Sequence, residues 1–459
     1  MRCNSTAHPY RRYARAPDTV CAGLATFCAL VAGTVALAAA PVEPLVRVAR
    51  VLDVTPLIDG HNDLPWQIRE RFKGSVAGVN LARDTSHITP PEGHVALMTD
   101  LPRLRTGHVG AQFWSVFVPV DMHGAAAVQA TLEQIDIVQQ MAALYPNDLE
   151  MAYTASDIRR IHKAGRIGSL IGIEGGHQID NSLAVLRQFY ALGARYMTLT
   201  HVTNTAWADS ATDTPTHQGL TPFGREVVRE MNRLGMLVDL SHVAPSTMRG
   251  ALEVSEAPVI FSHSSARALV DHPRNVPDDI LNLVARNGGV VMVNFNAGYV
   301  SGARNQWDAA RAAEKARYNS APYDGLYVGQ PERAKAAVEA WEMSHPAPVT
   351  TLADVADHIE HIQRVAGANH VGIGSDFDGI DDTPEGLESA AGYPSLLAEL
   401  ARRGWSDVDL AKVAGGNLLR VLDAAQRIGA QLQRTHLPST ATSAEFDDPP
   451  RHVHPLNGP

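Results

Sequence analysis

Cysteine is almost missing from this chain. Only Cys3, Cys21 and Cys28 occur among 459 residues, and none follows position 28. The body of the chain therefore cannot form disulfides, use a thiolate nucleophile or hold zinc through sulfur. Positive charge is scarce as well. Thirty-nine Lys and Arg face 49 Asp and Glu, for a net charge of −10, which argues against a nucleic-acid partner. No glycine-rich phosphate fingerprint follows the first apolar strand, which disfavours a doubly wound dinucleotide fold. No apolar run closes the C-terminus, so a glycosylphosphatidylinositol anchor signal is not expected. Any metal must be held by His and carboxylates.

A long apolar run occurs near the start, from Val20 to Ala40. It follows Arg2, Arg11, Arg12 and Arg15 and ends Ala38-Ala39-Ala40 before Pro41. Basic segment, apolar segment and small-residue cleavage site stand in the order of a secretory signal. The run is also long enough for an uncleaved N-terminal membrane anchor. Basic residues ahead of it export the rest in either case, giving a periplasmic or cell-envelope location. A membrane would be touched only through this segment.

From residue 41 on, short Val/Ile/Met-rich runs alternate with longer amphipathic stretches. The runs are Leu57–Asp63, Ala111–Val120, Gly168–Gly175, Tyr196–His201, Met236–His242, Val259–His263, Gly289–Asn294 and Val371–Asp376. Strands alternating with helices imply βαβ units, and runs apolar throughout imply strands covered on both faces. Thr221-Pro222 supplies a cap and first helical residue for a helix reaching Leu234 before Gly235. Helices are similarly expected over 278–287 and 352–365. Eight units predict a closed α/β TIM barrel, (β/α)₈, over 41–432. Residues 302–348 read as a helical insertion after the seventh strand, with helices near Trp307–Tyr318 and Pro331–Met343, in a position to cover the barrel mouth. Residues 433–459 are Pro-, Ser- and Thr-rich and read as a disordered tail.

Barrel chemistry sits where strands end. The runs end in His61-Asn62-Asp63, Glu174-Gly175-Gly176-His177, His201, Asp239-Leu240-Ser241-His242, His263, Asn294 and Asp376-Phe377-Asp378. The second run, ending Phe117-Val118-Pro119-Val120-Asp121, offers no obvious ligand. A lone strand-end His is ordinarily just hydrogen-bonded. Four His and three carboxylates at corresponding positions on separate strands are better explained by a metal site. One catalytic zinc takes three protein ligands and a water. His61, Asp63, Glu174, His201, His242, His263 and Asp376 are too many for that, so two ions sharing a carboxylate are expected. Glu174 is the natural bridge, while Asp59 and His177 suit supporting or purely structural roles.

Those motifs, together with Thr200-His201, Phe261-Ser262-His263-Ser264-Ser265, Arg274-Asn275-Val276-Pro277 and Gly374-Ser375-Asp376-Phe377-Asp378-Gly379, resemble the membrane (renal) dipeptidase family of zinc peptidases. The resemblance runs from about Val54 to Ala425. It implies an amidohydrolase-like barrel with two zinc ions, one on His61 and Asp63, one on His242 and His263, and Glu174 between them. It also implies that His201 and Arg274 bind substrate and that Asp376 lies at the scissile bond. The family's substrates are dipeptides, with a D-residue tolerated on the carboxyl side, and some members open β-lactams. The missing Cys and end anchor, and the length of the insertion, set this chain on a bacterial branch.

The expected mechanism gives His201 the developing oxyanion, Asp376 the proton transfer and Arg274 the substrate carboxylate. Small peptides are the expected partners, and a homodimer stays open. Two alternatives remain: another binuclear amidohydrolase, acting on an N-acyl amino acid, β-lactam, lactone or phosphoester, or a non-catalytic exported metal-binding barrel. The fourth run supplies no lysine that could be carboxylated as a metal bridge.

Overall fold

The structure, a computed structural model, describes residues 43–91, 95–319 and 325–447. The proposed signal or anchor, residues 1–40, lies outside them. Among the described residues the strands are β1 (Leu57–Asn62), β2 (Val109–Phe117), β3 (Leu149–Met151), β4 (Ile167–Glu174), β5 (Ala194–Thr198), β6 (Leu237–Asp239), β7 (Ile260–Phe261), β8 (Val290–Val293) and β9 (Val371–Ile373). All pairings between them are parallel. The circuit β1–β2–β4–β5–β6–β7–β8–β9 closes when β9 pairs with β1 through Ile373 and Asp59. The predicted eight-stranded TIM barrel is therefore formed. The extra strand β3 only extends the start of β4, pairing Leu149 with Ile167. Its three residues, Leu-Glu-Met, are too few to announce a strand in the sequence.

Each barrel strand is buried on both faces, and the two faces join different cores. Ile58, Phe113, Leu170, Tyr196, Leu237, Ile260 and Met292 belong to one buried cluster, with Leu418 and Leu422 of the helix Asn417–Leu432. Neighbours one step along, such as Leu57, Trp114, Ile171, Met197, Val238, Phe261 and Val293, belong to the other, against the surrounding helices. The alternation follows from the two-residue period of an extended strand. Burying each of these side chains contributes about 1.5–3 kcal/mol.

Helix punctuation is as expected from local chemistry. The Thr221 side chain accepts from the Gly224 amide at 3.1 Å at the start of the helix Pro222–Leu234. Thr351 and Asp354 form a reciprocal cap on Leu352–Ala366. The register then matters for function. Phe117 pairs with Glu174, Glu174 with Thr198 and Thr198 with Asp239. Their strands thus end at one rim, and the residues just beyond them share one space.

Two regions differ from expectation. The insertion does form helices, Gly302–Asn319 and Pro331–Ser344, with a small core of Tyr318, Ala334 and Val338. No described residue of it lines the cavity at the strand ends; Arg304 pairs with Asp308 and Asp382, and Trp307 Nε1 donates to His345 O. The tail from residue 433, largely exposed, is tied down by hydrogen bonds as far as Asp447. Arg187 donates to Ser439 O at 3.0 Å, and Asp447 accepts from the Phe223 amide at 2.9 Å and the Thr221 hydroxyl at 2.8 Å. The reason is electrostatic, because a carboxylate satisfies the free N–H groups at a helix start. His452 and His454 lie outside the described residues. Among the described residues, no helix is long and apolar enough to cross a membrane.

Candidate metal centre

The strand ends bring seven of the predicted side chains to one point. His61 Nε2 lies 3.3 Å from Asp63 Oδ2 and 3.4 Å from Glu174 Oε2. The other oxygen of the same carboxylate, Glu174 Oε1, lies 3.0 Å from His242 Nε2 and 3.4 Å from His263 Nε2. Glu174 therefore turns one oxygen toward each of two trios, His61–Asp63–Glu174 and Glu174–His242–His263. Asp376 Oδ1 lies 4.0 Å from His61 Nε2 and forms a third trio with His61 and His263. His201 Nε2 is 3.7 Å from Glu174 Oε1.

Local backbone geometry aims these groups. His242 and Asp376 both adopt left-handed conformations, with φ of 67°. Such a turn is costly for a residue with a side chain and persists where the surroundings enforce it. Gly379 closes the other side. A Cβ there would come within 2.1 Å of Asp63 Oδ2 and 2.7 Å of Asp376 Oδ1, so only glycine lets both carboxylates approach.

The donor set fits divalent cations. His61 Nε2 and Asp63 Oδ1 are buried without a hydrogen-bond partner, a cost that a bound cation removes. Burial, then Arg274 and His201, lower His242 well below the usual imidazole range. Burial, then His61, do the same for His263. Neutral imidazole is the form that binds metal. Burial opposes ionisation of Glu174, but His61, His201, His242 and His263 together hold its carboxyl well below the usual range. His61 runs the other way: burial disfavours its charge, while Tyr196, Glu174 and Asp63 raise it. Burial pushes Asp376 up to about 8; His61 opposes this, and Asp63 and Glu174 add to it.

The centre opens into a cavity of about 210 Å³ lined by Asp63, Phe117, Glu174, His201, Val202, His242, Arg274, Asn296, Tyr299, Asp376, Gly379 and Ile380. Among the described residues, no part of the insertion lines it. Asn305 and Asp308 instead line a neighbouring cavity that shares Asn296 and Tyr299. Arg274 is 3% exposed, donates to His263 O at 3.2 Å and leaves its Nε without a partner. A buried cation with a free donor beside a cavity suits an anionic ligand.

Asp59 and His177 point elsewhere. Asp59 accepts from the Ser375 amide and hydroxyl, both at 2.7 Å, and from Tyr393 and Gln112. It braces β1, β2 and β9 beneath the centre. His177 Nε2 binds Val118 O at 3.1 Å, and burial pushes it down to about 4. Sequence reasoning passed over Phe117, which meets His201 edge to face at 4.9 Å. It also passed over Asn296, Tyr299, Val202 and Ile380. Of these only Phe117 carried a signal, as the last residue of an apolar strand.

Similarity to known proteins agrees with the geometry. A family model described as Membrane dipeptidase (Peptidase family M19) matches residues 45–436. An uncharacterized dipeptidase of Schizosaccharomyces pombe is 42% identical over 401 residues, covering 84% of this chain and 85% of that protein. Dipeptidase 3 of Rattus norvegicus is 42% identical over 378 residues, covering 81% of this chain and 66% of the rat protein. Among solved structures, one described as a probable dipeptidase from Pseudomonas aeruginosa superposes with TM-score 0.70 at 24% identity, covering 85% of this chain and all of that one. A metallopeptidase from Rhodobacter sphaeroides, bound to a phosphinate mimic of the dipeptide L-Ala-D-Ala, gives 0.62 at 23%, covering 81% and 99%. At these identities the structures speak for the fold alone. The family match and the two curated relatives speak for more: the chain belongs to the membrane dipeptidase family, peptidase family M19, as a metallo-dipeptidase.

Proposed function

We propose that the protein hydrolyses free dipeptides with two zinc ions, one held by His61 and Asp63, the other by His242 and His263, and Glu174 shared between them. The observation that carries this reading is the split of the Glu174 carboxylate, with Oε2 toward the first pair and Oε1 toward the second. Bound there, the ions would supply Lewis acidity toward a carbonyl oxygen and acidify a water near neutral pH.

The chain's own residues do the rest. Arg274 binds the free carboxylate of the dipeptide, fixing which peptide bond reaches the centre. His201 is kept neutral by burial, against the pull of Glu174. Its ring N–H donates to the oxygen that gains charge as the carbonyl is attacked. Asp376 takes the proton of the attacking water and delivers it to the departing amine. Asn294 holds that carboxylate from the opposite side. A small cavity ending in a carboxylate grip favours dipeptides over longer chains.

Acceptance of a D-residue on the carboxyl side is supported by the ligand of the Rhodobacter sphaeroides protein, a mimic of L-Ala-D-Ala. Export rests on the basic-then-apolar order of residues 2–40. The deciding experiment offers L-L and L-D dipeptides, carboxyl-blocked dipeptides and tripeptides to the purified protein. Activity should be confined to free dipeptides, vanish on chelation and return with zinc. Equal turnover of blocked and free dipeptides would defeat the reading.

A further inference from the structure

Beneath the centre, Tyr196 fills the barrel interior and meets His61 from behind. Its ring lies over Gly172, its register partner on β4, where a Cβ would come within 1.9 Å of the ring. The ring also packs on Phe113 at 5.0 Å. The hydroxyl emerges between two groups of β1: it donates to Gly60 O at 3.2 Å and lies 2.8 Å from His61 Nδ1.

The hydrogens can be assigned by counting. A phenol has one hydrogen, and Gly60 O can only accept. With that hydrogen on Gly60 O, His61 Nδ1 is the donor to the phenol oxygen, and the lone pair of His61 sits on Nε2, facing Asp63 and Glu174. His263 is handled differently. Its Nδ1 lies 2.8 Å from Ser262 Oγ, which donates to Asp239 Oδ2 at 2.6 Å. Asp239 is itself tied by the Thr198 hydroxyl at 2.6 Å. His242 Nδ1 is buried without a partner. The two halves of the centre are thus braced by separate relays, one ending on a backbone carbonyl and one on a carboxylate.

We propose that Tyr196 is a positioning residue whose hydroxyl fixes the Nδ1–H tautomer and ring angle of His61, and so sets the affinity of the ion on the His61–Asp63 side alone. The ion on the His242–His263 side depends on the Ser262 relay instead. This rests on the two-zinc reading above. Partners behind a ligating imidazole typically contribute about 10- to 100-fold in metal affinity.

Tyr196→Phe removes one oxygen and keeps the ring over Gly172, so the barrel retains its filling. Zinc is titrated into the metal-free protein against a chromophoric chelator, and the melting temperature of the metal-free protein is read alongside. The wild type should take up two ions. Tyr196→Phe should weaken one of them by about 10- to 100-fold and leave the other within about twofold. Ser262→Ala should weaken the other one, and the double variant both. Wild-type affinity for both ions in Tyr196→Phe would overturn the assignment. So would equal weakening of both with a lower melting temperature, the mark of a merely structural role. A wild type that binds one ion would defeat the two-zinc reading separately. The Tyr196 assignment would then stand if Tyr196→Phe weakens that ion, and fall if it does not.

Discussion

Asn294 donates its amide hydrogen to Asp376 Oδ2 at 2.8 Å, joining the residue just after β8 to the loop after β9. The other oxygen of Asp376 is left toward His61 and the cavity. A hydrogen bond to a charged group contributes about 1.5–3 kcal/mol. Asn294→Leu should therefore lower kcat roughly 10- to 100-fold while zinc content stays at the wild-type value. Steady-state kinetics with metal analysis would decide it, and an unchanged kcat would separate Asn294 from the reaction.

Asp376 and Asp63 are both carboxylates beside His61, yet their proposed tasks differ. Asp376→Asn should keep the full zinc content and lose most of its turnover, because the amide cannot take up a proton. Asp63→Ala should lose metal. Mass-spectrometric counting of zinc in the two variants separates the roles. Loss of an ion from Asp376→Asn would make Asp376 a ligand, as the His61–His263–Asp376 trio permits.

Arg274 offers a test that depends on the substrate rather than the metal. Removing one member of a buried charge pair costs about 2 kcal/mol or more. Arg274→Ala should raise KM for a free dipeptide roughly 30-fold by that measure. For a carboxyl-amidated dipeptide, variant and wild type should behave alike. A KM for the free dipeptide that does not move would remove Arg274 from the pocket.

Against the segment that follows His263, His358 links stability to pH. Its Nδ1 accepts from the Ala266 amide at 2.9 Å and its Nε2 faces Val300 O at 3.3 Å. Only the neutral ring satisfies both. Burial pushes His358 down to about 4 from an ordinary 6.5. A depressed value means the unfolded chain binds the proton more readily, so stability is full above pH 6.5 and is lost as pH falls toward 4. The loss from this residue should reach about 3 kcal/mol. Urea unfolding of metal-free wild type and His358→Gln at pH 7.5 and 4.5 should show a smaller pH difference in the variant. Identical differences would contradict the assignment.

Asp447 should matter for stability and not for catalysis. It accepts from the Phe223 amide and the Thr221 hydroxyl at the start of the helix Pro222–Leu234, so Asp447→Ala should cost about 1 kcal/mol. The urea midpoint should fall while kcat/KM holds. An unmoved midpoint would mean the tail contributes nothing.

The sequence by itself determined the eight barrel strands and the side chains at their ends. Apolar runs, caps and the two-residue period are local properties, set by neighbours along the chain. Residues such as His61, Glu174 and His263 could therefore be chosen before any contact was known. Only the tertiary structure decided what those side chains touch. Asp59 was expected only to support or brace, and its partner could not be named from the sequence: it turns to Ser375, 316 positions away. Asn294 acquired a role only when β8 met β9. Phe117 and Tyr299 entered the pocket because parallel register brings distant strand ends to one rim. The insertion lines a neighbouring cavity and the tail caps a helix, since a segment's docking surface is supplied by the rest of the chain. Tyr196, an apolar-run residue by every local measure, became the support of His61 because a closed barrel places opposite strands in contact across its interior.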